Sequence, residues 1–329
     1  MNWNMSGIRT SRYIAICALF ALGLIACGGG GSKATAPTAP TAPTAPVAIT
    51  TTNAPAVAAT SITGATNLSL SGNLTAVDTS VATVPPPTLG RISVAAAKRA
   101  QEFLSGPQSV TGLVQTFDCT FGGTVIINAA DNGTSLSMAF TNCSDIAGQV
   151  INGALAITGI TSSAPTNFSG TFNANITVAQ SGRPTLAMTG GFTITITYSD
   201  STQSSYTGTF AGSSFSVTAG AAVTTLLNFS LSEGYAASTD LYTSSANYTL
   251  AATAIGGSVT VTTVTPIQQH GTGLYPFAGQ LVATGTGNTK ARVTILGDET
   301  HTGDDVQIEV DADGNGTYEM TILRDWSAL

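Results

Sequence analysis

From about residue 110 to the C-terminus, apolar and polar side chains alternate one for one. Phe168, Phe172, Ala174, Ile176 and Val178 alternate with Ser169, Thr171, Asn173, Asn175 and Thr177. Ile194 and Ile196 alternate with Thr193, Thr195 and Thr197, and Val259 and Val261 with Thr260 and Thr262. Successive side chains of a strand point to opposite faces, so a period of two gives each segment one apolar and one polar face, the pattern of antiparallel sheet. Glycines and Ser/Asn clusters interrupt the runs and divide the region into about a dozen strands. Half-apolar strands in that number cannot lie in one flat exposed sheet, so they must curl or stack until their apolar faces meet. No strict repeat runs through them, and no solenoid period is assigned. The expected fold is mainly β: a large antiparallel meander over 110–329, barrel-like or sandwich, with one short helix and a disordered N-terminal tether.

Charge supports this reading. Only 8% of residues are charged, so the polar surface comes from Thr, Ser, Asn and Gly, which suit strands and turns better than helices. The chain carries 10 basic and 17 acidic residues. An acidic, charge-poor surface excludes nucleic-acid binding, which needs clustered Lys and Arg, and gives no electrostatic attraction to anionic lipid.

The N-terminus has a different character. Arg9 and Arg12 precede an uncharged apolar run from Tyr13 to Ile25. Thirteen residues make about 20 Å of helix, too short for ~30 Å of hydrocarbon. A removable export signal over 1–26 fits better. The run ends in Leu24-Ile25-Ala26-Cys27, which resembles the lipobox of bacterial lipoproteins. That resemblance covers about 27 residues. It implies that Cys27 receives a diacylglycerol, that the leader is cut before it, and that acyl chains hold the protein to a membrane, the first expected partner. Gly28 in place of aspartate favours the outer membrane, by the sorting rule of enterobacterial lipoproteins. Which face of that membrane the chain occupies stays open.

Residues 27–60 read as a lipidated Ala/Pro/Thr-rich linker. Prolines at 37, 40, 43 and 46 favour extended polyproline II, which would hold the folded part off the membrane. Residues 61–109 are expected to hold a strand near Thr66–Val77 and, after Pro85-Pro86-Pro87, a short helix over 92–104 that ends at Gly106-Pro107. Ile92, Ala96, Ala100, Phe103 and Leu104 share one face of that helix, which would lie as a lid or plug on the sheet.

Cys17 leaves with the signal and Cys27 is assigned to lipid, so Cys119 and Cys143 remain as one pair. In an oxidising compartment a disulfide is expected. Thr124–Asn128 and Thr134–Thr141 flank the turn cluster Ala130-Asp131-Asn132-Gly133. A five-residue loop pairing Asn128 with Thr134 would set Cys119 opposite Cys143 and close the open end of one hairpin. The apolar residues leave that register unconfirmed.

Nine of the 17 acidic residues lie between Asp298 and Asp325. Within this stretch Asp311, Asp313 and Asn315 occupy positions 1, 3 and 5 of a pattern resembling the first half of a calcium loop. Gly316 sits at position 6 and Glu319 at position 9. Hard oxygen ligands at alternate positions could hold Ca²⁺, the one cofactor considered. Position 12, however, is Ile322 where such a loop needs a bidentate Glu, and the flanks read as strands. A Gly-rich hairpin turn using aspartates for its own hydrogen bonds is the competing reading.

The two histidines, His270 and His301, have no partnering motif, and the chain shows no nucleophile elbow, phosphate loop or dinucleotide fingerprint. No catalytic residues are assigned and no enzymatic activity is expected. Two function classes follow. In one, a structural or adhesive envelope component binds an envelope protein through its Thr/Ser-rich sheet face. In the other, a curved sheet carries an apolar ligand such as lipid. The interior discriminates them: a large Phe/Leu/Ile-lined pocket favours the carrier, and an interior filled by its own side chains favours the binding protein.

Overall fold

The computed structural model describes residues 41–68, the positions Ser93, Ala96, Ala97 and Ala100, and, apart from short loop stretches, 114–329. The leader with Cys27 and the strand expected beyond Leu68 lie outside the described residues.

Fourteen strands form one antiparallel sheet in strict chain order: β1 (Val114–Asp118), β2 (Thr124–Ala129), β3 (Leu136–Cys143), β4 (Gln149–Ser163), β5 (Asn167–Gln180), β6 (Leu186–Tyr198), β7 (Tyr206–Ala219), β8 (Ala222–Ala236), β9 (Leu241–Ala252), β10 (Gly257–His270), β11 (Ala278–Thr284), β12 (Lys290–Ile295), β13 (Val306–Asp311) and β14 (Met320–Arg324). The sheet is an antiparallel meander, as expected from the sequence, and it is not closed: β1 and β14 are its two edges.

One face of this sheet makes the core. In β5, Phe168, Phe172, Ala174, Ile176 and Val178 are buried while Asn167, Thr171, Asn173, Asn175 and Thr177 are exposed. A single cluster of buried apolar residues runs on from β2 to β14. The heart of it is aromatic. Phe172 stacks on Phe192 at 5.4 Å, and Phe192 meets Phe210 at 5.9 Å and the edge of Phe215 at 5.8 Å. β5 delivers one of these rings and β7 the other two, so three cross-strand partners pack on Phe192.

The long strands curve through bulges at Thr158/Thr161, Gly191/Thr193 and Leu227/Ser230. Glycine is required at two of the bends. Gly153 has φ +111°, and a Cβ there would lie 2.3 Å from the carbonyl oxygen of Asn175. Gly190 has φ +145°, with its Cβ position 2.6 Å from that of Ser214.

The N-terminal reading needs correction. Residues expected to be a disordered linker are partly built into the core: Ala42, Ile49, Ala54, Val57 and Ala58 are all buried. The chain enters as a strap. Val47 donates its N–H to the Ser258 carbonyl and accepts from the Thr286 N–H, and Ile49 donates to Thr289 Oγ1. Thr50 and Asn53 then cap each other reciprocally, Thr50 N–H to Asn53 Oδ1 at 2.8 Å and Asn53 N–H to Thr50 Oγ1 at 3.2 Å. A helix, α1 (Ala54–Leu68), follows where a tether and the start of a strand were expected. Its buried residues, Ala54, Val57, Ala58, Ile62 and Ala65, repeat at helical spacing and are small enough to lie close on the sheet. The helix touches β8, β9 and β11 to β13, so that part of the sheet curves round it. Gly64 permits the closest approach, since a Cβ would stand 3.0 Å from the Tyr248 ring, and the Tyr248 hydroxyl donates to the Ser61 carbonyl. Of the helix expected over 92–104, the described positions Ser93, Ala96, Ala97 and Ala100 are helical and buried, one face at a spacing of three and four residues.

Candidate functional site

The outward side of β5 to β9 is a lattice of hydroxyls. Strand register aligns Ser169, Thr195, Thr209, Ser232 and Ser245 in one row across the five strands. A second row holds Asn167, Thr197, Thr207, Gly234 and Thr243, and a third Thr171, Thr193, Ala211, Ser230 and Asn247. Rows are about 6.7 Å apart along a strand and neighbours about 4.8 Å apart across strands. Thr suits this position twice over, because its branched Cβ favours extended backbone and its hydroxyl remains wet. Some hydroxyls bond each other, Ser169 to Thr195 at 3.2 Å and Ser216 to Thr225 at 2.8 Å.

Within the lattice lies a shallow groove of about 370 Å³, walled by Thr195, Thr197, Thr207, Thr209, Ser232, Thr243 and Ser245. Gly208 and Gly234 form part of its lining. A Cβ on Gly234 would meet only ordinary contacts, at 3.8 Å or more. The missing side chain therefore leaves open space and relieves no clash. Glu233 lines it too, but its side chain is buried and accepts from the Tyr206 hydroxyl; the other lining side chains are neutral, so recognition here would use hydrogen bonds and shape. A lipid-facing barrel wall would instead be apolar on its outward side, which this polar face is not.

The inward side carries a feature that sequence reasoning missed. Tyr198, Tyr206, Tyr235 and Tyr242 are register partners on four adjacent strands. Their rings meet in sequence at 6.3, 6.1 and 4.4 Å. Tyr206 donates to Glu233 Oε1 at 2.8 Å and Tyr235 to Asp240 Oδ1 at 2.9 Å. Burial, aided by the Glu233 charge and that hydrogen bond, pushes the Tyr206 phenol far above its usual range, and burial likewise raises Tyr198. These phenols stay neutral donors and are poor nucleophiles. The signal was present as tyrosines at the ends of β6 and β8 and near the starts of β7 and β9, but without register nothing linked them.

The predicted disulfide is present. Cys119 and Cys143 are bonded, with Cα atoms 5.4 Å apart. The hairpin proposed to carry it is corrected. β2 and β3 pair Thr124 with Thr141 and Asn128 with Ser137, three residues out of the expected register. Cys119 lies beyond β2 altogether, after β1. A tight turn with Gly122 and Gly123 at positive φ folds β1 back on β2, so the bridge ties the β1–β2 turn to the end of β3. Asp145 secures the same corner by accepting from the Thr120 N–H and Oγ1.

The acidic loop joins β13 to β14, strands on both flanks as expected. The carboxylates of Asp311, Asp313 and Glu319 can bring one oxygen each within 4.8 Å of one another. All are engaged by the loop itself. Asp311 accepts from Gly314 N–H at 2.8 Å and Gly316 N–H at 3.0 Å, Asp313 from Asn315 N–H, and Glu319 from Ala312 N–H. Asn315 accepts from Thr317 N–H at 2.7 Å. Ile322, at the position that needs a bidentate ligand, is buried in the core. Beside the loop, Arg292 makes a two-point bond to Glu309 at 2.6 and 2.7 Å and lies 4.2 Å over the Tyr318 ring. That guanidinium holds the Glu309 carboxyl below its ordinary value.

Of the remaining singled-out residues, His270 stacks on Phe277 at 4.9 Å, His301 lies outside the described residues, and Trp326 is buried against Tyr275 at 5.7 Å. Comparison of the chain with protein-family models, curated proteins and solved structures gave no match.

Proposed function

We propose that this chain is a lipid-anchored component of the bacterial cell envelope, held at the outer membrane by Cys27, which binds an envelope protein through the hydroxyl-lined outer face of its sheet. The location rests on the resemblance of Leu24-Ile25-Ala26-Cys27 to a lipobox. The observation that carries the choice of binding over ligand transport is the stacked Phe172–Phe192–Phe210 core: rings in mutual contact occupy space that a carried lipid would need. No catalytic role is assigned to any residue.

Two experiments test this. Labelling the host with radioactive palmitate should mark the wild-type chain and leave Cys27→Ser unlabelled; equal labelling of the two ends the anchoring claim. A photocrosslinking residue at position 209, used in intact cells, should give a discrete adduct with an envelope protein. Gly234→Tyr, which fills the groove without a backbone clash, should abolish that adduct. An adduct of unchanged yield in Gly234→Tyr refutes the binding face. A lipid retained by the purified protein in native mass spectrometry would favour transport instead. Because the exposed side chains of the groove are uncharged and Glu233 is buried, the adduct yield should change little with added salt.

A further inference from the structure

An open sheet leaves two rows of backbone donors and acceptors at its edges, and natural proteins usually blunt such edges with Lys, Pro or a cover. Neither β1 (Val-Gln-Thr-Phe-Asp) nor β14 (Met-Thr-Ile-Leu-Arg) contains Lys or Pro. Exposed apolar side chains gather there instead. Among the described residues, five of the seven large apolar side chains that are exposed lie at these two ends of the sheet: Val114, Phe121 and Ile126 at one, Met320 and Leu323 at the other. Val114 is 59% exposed, Leu323 42% and Met320 38%.

The two edges are complementary. With an even number of antiparallel strands, β1 and β14 run in opposite directions. A second copy laid beside the first in the same orientation therefore presents its β1 antiparallel to the first copy's β14, with the apolar face continuing on the same side. Face assignments come from the observed pairings. Gln115 and Phe117 lie opposite buried Ile127 and Val125, and Met320 and Ile322 opposite buried Val310 and Ile308. One register matches the apolar residues on both faces, although it also sets Asp118 of β1 opposite Glu319, which immediately precedes β14, a like-charge contact. It sets Phe117 against Met320 and Gln115 against Ile322 on the inner side, and Val114 against Leu323 and Thr116 against Thr321 on the outer side. Apolar meets apolar in two of the four pairs and Thr meets Thr in a third, the cross-strand combinations that stabilise sheets. A slip of two residues one way puts Val114 against Asp325. The opposite slip leaves Leu323 without a partner in β1.

We propose that copies of this chain associate head to tail by pairing β1 of one with β14 of the next. The contact is heterologous, because each copy contributes a different strand, so every added copy leaves one free β1 and one free β14 and the array stays open-ended. This inference is independent of the hydroxyl face, which points away from the seam.

The test uses the full-length chain purified in detergent. Val114→Cys and Leu323→Cys, prepared as separate variants and mixed under mild oxidation, should give mixed cross-linked dimers well in excess of either self-dimer. The double variant should give a ladder of multiples. A double variant that cross-links only within one chain shows the sheet closing on itself and overturns the proposal, as do self-dimers alone or no cross-link. Thr116→Cys with Thr321→Cys reads the same register if the first pair fails to fold, judged by β-sheet circular dichroism. In sedimentation velocity, Leu323→Lys should shift wild-type oligomers to single chains; an unchanged distribution also overturns the proposal.

Discussion

Phe192 offers the sharpest test of whether the interior is a packed core or a container. Its side chain is 2% exposed and touches three other rings, each from an adjacent strand. Phe192→Ala removes a ring whose neighbours belong to hydrogen-bonded strands and cannot collapse inward freely. Such truncations cost about 3–5 kcal/mol, and lost aromatic contacts place this one near the middle, at about 4 kcal/mol. With a urea dependence of about 3 kcal/mol per molar, the unfolding midpoint should fall by about 1.3 M at unchanged slope. Phe192→Leu, which keeps most of the volume, should lose about a third as much. Equilibrium urea unfolding followed by far-UV circular dichroism measures both. A loss below about 1 kcal/mol for Phe192→Ala would show that the ring faces space it does not share, and the transport reading would regain its ground.

Three further outcomes follow from the structure. Replacing Cys119 and Cys143 together by Ser opens a loop spanning 24 residues and should reduce stability by about 3.5 kcal/mol on the loop-entropy model, read as a lower urea midpoint that matches the wild type under reduction. Glu309→Gln should cost about 1 kcal/mol at neutral pH by breaking the two-point bond to Arg292. Since the folded carboxyl is held below its ordinary 4.5, the contribution is complete above that value and fades as pH falls through the lower folded one, so variant and wild type should converge in acid. For the loop from Asp311 to Glu319, calorimetric titration of the full chain with CaCl₂ should give no heat in the millimolar range, because the carboxylates already accept backbone N–H groups. A saturable heat that disappears in Asp311→Ala with Asp313→Ala would refute that reading and reinstate calcium.

Much of the sheet was legible because strand periodicity is a local property. The alternation of Phe168 to Val178 with Ser169 to Thr177 states which side chains face inward before any partner strand is known. Cysteine pairing was equally accessible, since two cysteines remained after Cys17 and Cys27 were assigned to the leader and the anchor. The error in the Cys119–Cys143 hairpin has a definite cause. Gly122 and Gly123 form a turn that period-two reasoning passed over, and one missed turn moves a cysteine out of a strand and into that turn. The segment 41–68 was misread for a different reason. Its Ala and Thr content resembles a low-complexity tether, and only the sheet supplies the surface on which small residues become an advantage. The hydroxyl face could be anticipated as a composition, whereas its rows and groove could not.

What the amino-acid order determined alone was therefore the sidedness of the clearly alternating strands, the scarcity of charge on the outer face of β5 to β9 and the pairing of Cys119 with Cys143, read from residue types along the chain. Tertiary structure decided the register that aligns Thr195 with Thr209, the tyrosine row, the burial of α1 and, among the described residues, the two open edges of the sheet. Each of these depends on which distant strands meet, and contacts between residues far apart in sequence are fixed only when the whole sheet finds its common curvature and core.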